Sequence, residues 1–338
     1  MYTARRLWKH EAVEVPPAVA DFEDDYLQDW IDRSSTDTDL CLYHYTDAYG
    51  MKGIVENKEI WCSEMKYLND AQEVEYGLSL IRNKVEELQK DYSTDESVSK
   101  GLLGSLSTYL NAFPGATYRG FVACFCESGD LLSQWRGYAE EGGGYSLGFT
   151  FNNQSRVILE DGEPYRPHLR KVLYDRDQQE KLVYEYLERI CQIMSTEAEK
   201  YSLRDTQLIA ESTALHVMNT LMDWIVSFKH HGFEEENEWR LVRMLRSTDE
   251  AKSQAHFRVT DGITVPYVKT PITTPLPNTE GELENYFALS EIKYGPTLPS
   301  DRAEPSISSL LETTSNQGTR QIAVNNVKIE SADVPFRG

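Results

Sequence analysis

The sequence predicts an α+β fold: a mixed, mostly antiparallel sheet interrupted by long helical insertions. Short apolar or alternating runs recur along the chain, at residues 40–45, 60–62, 120–126 and 145–151, each bounded by turn-forming residues. Between and after them lie four long stretches with apolar residues at helical spacing, two following the second run and two following the fourth. With 338 residues, of which 40% are hydrophobic, the chain can bury a sizeable core.

Residues 1–39 read as a lead-in with Pro16 and Pro17, followed by a helix marked by Phe22, Tyr26, Leu27, Trp30 and Ile31. Residues 40–338 read as one α+β domain. Its first strand, 40–45, leads into a helix capped by Thr46 or Asp47, with Met51, Ile54 and Val55 inward and Asn57 at its end. Ile60, Trp61 and Cys62 form a second strand, and Asp70 with Glu73 makes a D-x-x-E capping box. Val74, Leu78, Ile81, Val85 and Leu88 mark the helix it opens; Val98, Leu102, Leu106, Leu110 and Phe113 mark the next, giving a helical hairpin inserted between strands. Residues 120–126 are too short for a typical helix and read as a central strand, followed by a short helix over 130–139 with Trp135 and Arg136.

The EEGGG turn then enters 145–151, where Tyr145, Leu147, Phe149 and Phe151 alternate with small residues. The three glycines allow close backbone approach, but GK[ST] is absent and a strand follows, so this is no phosphate loop. Residues 171–174 read as a strand, and 178–201 and 206–228 as helices. The second carries a core stripe of Leu208, Ser212, Leu215, Met218, Met222 and Ile225. The acidic run 234–238 opens a strand on WRLVRML; if that strand begins early, Glu236, Glu238 and Arg240 share a face. Strand pattern returns over 257–270, with Pro266 suggesting an edge, and at 287–294 and 321–329, around a helix near 306–313.

The chain holds 34 Lys and Arg against 55 Asp and Glu, a net charge of −21, which argues against a broad grip on nucleic acid or anionic membrane. A protein or small-molecule partner fits better than long nucleic acid. No run approaches the ~18 apolar residues of a membrane span, and RRLWKH is followed by Glu and Pro rather than an apolar signal core, so the expected location is cytoplasmic. Cys41, Cys62, Cys124, Cys126 and Cys191 lack the spacing of a zinc site or disulfide framework and read as reduced core residues. His230 and His231 have no third partner at metal-ligand spacing, so no metal is expected.

The order of several motifs resembles the family called domain of unknown function 2971. They are His-Tyr-Thr at 44–46, Gly-Ile-x-x-Asn-x-x-Ile-Trp at 53–61 and Leu-Asn-Asp-x-x-Glu at 68–73. FVACFCESGDLLSQWRGYAEEGGGYSLGF, KVLYD, FKHHGFEEENEWRLVRML, LSEIKYGP and ESADVPFR continue the likeness. The opening also resembles the start of ADP-ribosyltransferase domains, a split-sheet fold whose sites carry a His, an aromatic and a Glu on three strands. That resemblance implies NAD as substrate, without a metal, and ADP-ribosyl transfer or NAD glycohydrolysis in a bacterial defence or stress setting. Carried over by position, His44 holds ribose hydroxyls, Tyr145 or alternatively Tyr138 is the aromatic, Glu238 is the catalytic carboxylate and Glu236 orients the acceptor. Tyr45 and Thr46 flank His44, and Trp135, Arg136 and Arg240 are candidates for the diphosphate or the ring surround. A Ser-Thr-Ser strand motif is missing.

Other readings stand beside these. His44 can be a satisfied structural histidine, Glu238 with Arg240 a structural ion pair, and Asn69, Asp70 and Glu73 a helix cap. Cys124 or Cys126 with His44 would make a thiol nucleophile of unrelated chemistry, although inert core cysteine is the plainer reading. The alternative function is a catalytically inert module that senses a nucleotide or a protein.

Overall fold

Local chemistry sets the element boundaries. The computed structural model describes residues 15–34, 40–68, 71–92, 98–112, 118–151, 157–158, 164–165, 168–246, 254–260, 262–272, 288–315 and 327–336. The helices are α1 (Pro17–Ser34), α2 (Ala48–Asn57), α3 (Ala71–Asp91), α4 (Val98–Ala112), α5 (Leu132–Gly137), α6 (Arg176–Ala198), α7 (Leu203–Ile225) and α8 (Ser300–Ser315). The strands are β1 (Leu40–Thr46), β2 (Glu59–Glu64), β3 (Tyr118–Cys126), β4 (Tyr145–Phe151), β5 (Val157–Ile158), β6 (Pro164–Tyr165) and β7 (His168–Lys171). β8 (Glu238–Arg246), β9 (His256–Thr260), β10 (Ile263–Pro271), β11 (Ala288–Tyr294) and β12 (Lys328–Ser331) complete them. Of the two capping candidates for α2, Asp47 does the work: its carboxylate accepts from Gly50 N at 2.6 Å, and Lys58 ends the helix at φ 55°. Asp175 caps α6 in the same way. Asn69, Asp70, Phe113 and residues 321–326, which carry parts of the expected cap, helix and strand, lie outside the described residues.

Contacts divide the chain into two units. One comprises Met1–Ser34, Leu68–Arg119 and Leu173–Phe233; the other comprises Ser35–Tyr67, Gly120–Val172 and Glu234–Gly338. The sequence reading kept residues 1–39 apart from the rest; in the contact grouping α1 goes with α3, α4, α6 and α7.

The first unit is helical. The i, i+4 spacing expected for α3 and α4 is the spacing that is buried, from Val74 to Leu88 and from Val98 to Leu110. On α7 the expected stripe holds in its second half, where Met218, Met222 and Ile225 are buried; at its start Leu208 is 58% exposed, and Ala210, Ala214, Val217 and Leu221 are buried as well. α3 approaches α7 closely where Gly77 lacks a side chain, since a Cβ there would sit 3.0 Å from Ile225 Cα.

Glu23 on α1 is buried, accepting hydrogen bonds from the Tyr186 hydroxyl and, at 2.9 Å, from Thr220 Oγ1. His216 Nε2 lies 3.8 Å away and Asp24 adds a repulsive charge. Burial pushes the Glu23 carboxyl from 4.5 up to about 8, so it keeps its proton at neutral pH. Between those values the folded chain binds a proton that the unfolded chain has released, so stability falls as pH rises through this window. Glu23→Gln should flatten that slope and stabilise the protein at pH 8.5 by on the order of 1–3 kcal/mol, with little change at pH 5. Denaturant midpoints at the two pH values would test this, and a wild-type profile that does not weaken towards pH 8.5 would contradict it.

The second unit is built on a sheet with the order β12-β11-β4-β1-β3-β2-β10-β9, and β8 pairs both β3 and β7. β1 and β4 pair antiparallel along their whole length, from Leu40 opposite Phe151 to Thr46 opposite Tyr145. Among the described strand ladders only β11 with β12 is parallel, which agrees with the mostly antiparallel expectation. β5 and β6 form a separate two-stranded ladder. One face of the sheet is covered by α2 and α8, with Leu42, Phe121, Phe125, Leu147, Phe149, Trp239 and Leu241 in the shared core. On the other face Tyr45, Cys126, Trp135 and Ala139 cluster with Tyr43, Val334 and Phe336.

Three strand expectations are adjusted. β7 ends where the predicted 171–174 strand began, because Val172 N turns to Glu238 O and Leu173 then bridges to Phe228. Pro266 is not on the edge strand, which is β9; it lies opposite Phe257, before the β2 ladder begins at Tyr267, so its missing N–H deprives no β2 partner. The three glycines do allow close approach, but to the chain itself: a Cβ at Gly144 would strike Thr46 O and Ala139, and one at Gly142 would meet the Phe336 ring at 3.0 Å.

Candidate functional site

A strand has two edges, yet β3 has three partners. β1 meets it at Tyr43 opposite Cys126, and β2 meets it at Ser63 opposite Val122 and Glu64 opposite Phe121. β1 thus meets β3 at its last residue and β2 meets it at mid-strand, and β8 pairs with the same strand. Between the two ladders lies Cys124. Its carbonyl, where the next rung to β1 would fall, is taken instead by a side chain: His44 Nδ1 donates to Cys124 O at 2.8 Å. The imidazole thus sits at a break, or opening, in the backbone pairing along β3.

That bond fixes the Nδ1–H tautomer and leaves Nε2 as an acceptor. Burial lowers the His44 pKa, with the charge of Arg258 acting in the same direction, so the ring is neutral at pH 7. Arg258, on β9, donates from Nη2 to Ser63 Oγ at 2.9 Å. Neither Arg258 nor Ser63 was singled out in the sequence, where FRVT shows only strand alternation.

The other site candidates do not all converge on His44. Alternation along β1 sends Tyr45 to the face opposite Leu42 and His44, and its hydroxyl is engaged there, donating to Ser128 O at 3.0 Å and accepting from Leu131 N at 2.8 Å. Trp135 has no exposed surface; its indole N–H donates to Asp130 Oδ1 at 2.8 Å, and its ring meets Tyr45 edge-on at 5.0 Å. Both rings are therefore walls from behind rather than open stacking surfaces. Tyr145 lies opposite Thr46 and packs in the α2 and α8 core, whereas Tyr138 is 43% exposed. Arg136 is exposed, its guanidinium 5.9 Å from the centre of the Phe336 ring.

Glu238 opens β8 and is buried. Arg240 grips it with both ends of its fork, Nε to Oε1 at 2.7 Å and Nη2 to Oε2 at 3.0 Å. Arg170 stands opposite Arg240 across the β7 ladder. Since Trp239 and Leu241 face the α2 and α8 core, Glu238 and Arg240 turn to the other face, where both Glu236 and Glu238 act on the Cys126 thiol. Glu236 does not share the strand: it lies in the 3₁₀ segment His231–Glu236, and Asn237 at φ 41° breaks the register before β8 starts.

The thiols are poorly suited to attack. Burial pushes Cys126 up to about 12 and Cys62 up to about 11, and none of the five cysteines forms a disulfide. Among the described residues no group of three His, Cys, Asp or Glu is placed to hold a metal, and no helix is long and apolar enough to cross a membrane.

Residues 134–241 match the model of a family described as protein of unknown function DUF2971. The match runs from α5 into β8 and so includes Trp135, Arg136, Tyr145, Glu236, Glu238 and Arg240, while His44, Tyr45 and Thr46 precede it. Comparison with curated proteins and with solved structures found no match.

Proposed function

We propose that the opening at Cys124 is a nucleotide site and that the chain cleaves NAD, transferring ADP-ribose to an acceptor or to water. The observation that supports this most is the neutral His44 bonded to Cys124 O on β3, with Glu238, on the opposite face of the sheet, at the mouth of β8, which also pairs with β3. In that reaction the nicotinamide–ribose bond breaks, nicotinamide leaves with the bonding electrons, and the ribose carries positive charge until the acceptor or water adds and loses a proton. A carboxylate paired with Arg240 stabilises that charge, and an imidazole with Nε2 as acceptor takes a hydrogen bond from a ribose hydroxyl.

A second reading has its own support. The Glu238–Arg240 fork is also what a purely structural ion pair looks like, and a chain that binds the nucleotide without cleaving it would need no more. Release of nicotinamide from NAD by the purified protein, with and without cell lysate, separates the two. Cleavage predicts release that falls about 100-fold in both His44→Ala and Glu238→Gln. Binding of NAD with no release in any sample would favour the sensor reading.

A further inference from the structure

We infer that Arg258, held by Ser63, is the anion-binding group of this opening and receives the diphosphate of a nucleoside diphosphate or dinucleotide. The inference deepens the nucleotide reading above and rests on it.

In a chain with 55 acidic and 34 basic side chains, a cation ordinarily finds a carboxylate, as Lys52 does with Glu56, Lys171 with Glu127 and Lys229 with Glu73. Arg258 does not: among the described residues its one hydrogen bond is to the Ser63 hydroxyl, and Asp47 attracts it only at longer range. The path of the side chain is unusual as well. Arg258 lies opposite Val265 on one side of β10, and Ser63 lies opposite Tyr267 on the other, so the guanidinium crosses β10 to reach the second strand over. Ordering so long a side chain costs rotamer entropy, and desolvation lowers the Arg258 pKa although the residue as a whole is exposed. One neutral hydroxyl offsets little of this. A bound anion would.

The direction of reach identifies the place. Beyond Ser63 comes Val122 on β3, then the opening at Cys124 with His44, whose ring senses the Arg258 charge. A planar guanidinium matches two oxygens of a diphosphate in a way that a point charge does not, and the neutral imidazole is suited to the hydroxyl of the adjoining ribose. Trp61 and Tyr267 stack at 4.3 Å between centroids beside Ser63, and Tyr267 lies on the strand that the Arg258 side chain crosses.

Calorimetric titration of ADP-ribose, ADP, inorganic diphosphate and adenosine into the full chain tests the assignment. Arg258→Gln should weaken ADP-ribose and ADP roughly 10- to 100-fold while leaving adenosine unchanged, with Arg258→Lys and Ser63→Ala in between. Adenosine binding and an unchanged melting midpoint verify that each variant is folded. ADP that binds Arg258→Gln as it binds wild type would overturn the inference, and so would a wild type that binds none of the three phosphorylated probes. If ADP binding depends on Arg258 but no nicotinamide is released, the anion site stands and the cleavage reading falls. If nicotinamide is released and neither release nor ADP binding responds to Arg258→Gln, cleavage stands and this assignment falls.

Discussion

Replacing Arg240 with Leu is expected to destabilise the protein by about 3–5 kcal/mol, and replacing Glu238 with Leu by a similar amount. Each change takes from a buried charge its two-bond partner. Without Arg240, the Glu238 carboxylate loses two charge-assisted hydrogen bonds at 2.7 and 3.0 Å in a place where water cannot replace them. Without Glu238, the Arg240 guanidinium loses both of those hydrogen bonds, with Arg170 directly across the ladder. Changing both residues to Leu removes the penalty at its source, so the double variant should be much less destabilised than the sum of the singles. Urea midpoints of the four proteins give the coupling energy. Singles that add within about 0.5 kcal/mol would show that the fork is energetically idle. The outcome bears directly on function, because lost nicotinamide release in Glu238→Gln implicates the carboxylate in chemistry only if the variant remains folded at the assay temperature.

Much of the architecture was legible because it rests on local patterns that tertiary context did not override. The i, i+4 stripes of α3 and α4, the alternation of β4 and the Asp47 cap each have a local physical cause, and each is found where the residues place it. Errors arose where a neighbour decides. Leu208 has the right spacing for a core stripe, but how far along a helix its stripe is covered depends on its partners, and on α7 Met218, Met222 and Ile225 are buried while Leu208 is exposed. Pro266 has the chemistry of an edge residue, yet it sits one strand in, because β2 begins its ladder one residue later. The site shows the same division. His44 could be singled out from its position at the end of a strand, but its meaning depends on β2 leaving β3 at Val122, a long-range event with no local signature. Arg258 was invisible for the same reason, since nothing in HFRVT says that the side chain will cross β10.

Trp135 illustrates how a residue singled out for binding can turn out to hold the scaffold, and Trp135→Ala should cost about 3–5 kcal/mol. Its ring is fully buried against Tyr45, Cys126 and Ala139, so truncation leaves a cavity that this tightly packed corner can fill only in part. The loss goes further than volume. Asp130 uses one carboxylate oxygen for the Trp135 indole N–H and the other for Asp333 N at 2.7 Å, so the same residue anchors α5 and the segment after β12. Once the indole is gone, Asp130 is less constrained, and the amide of Asp333 should exchange with solvent faster than in wild type. Trp135→Phe is the milder change. It removes the N–H together with part of the bicyclic ring and should cost about 2–3 kcal/mol, less than Trp135→Ala. If the ring is a wall rather than a stacking partner, a folded Trp135→Phe variant retains wild-type affinity for ADP-ribose. A loss of affinity with the melting midpoint preserved would return Trp135 to the binding site.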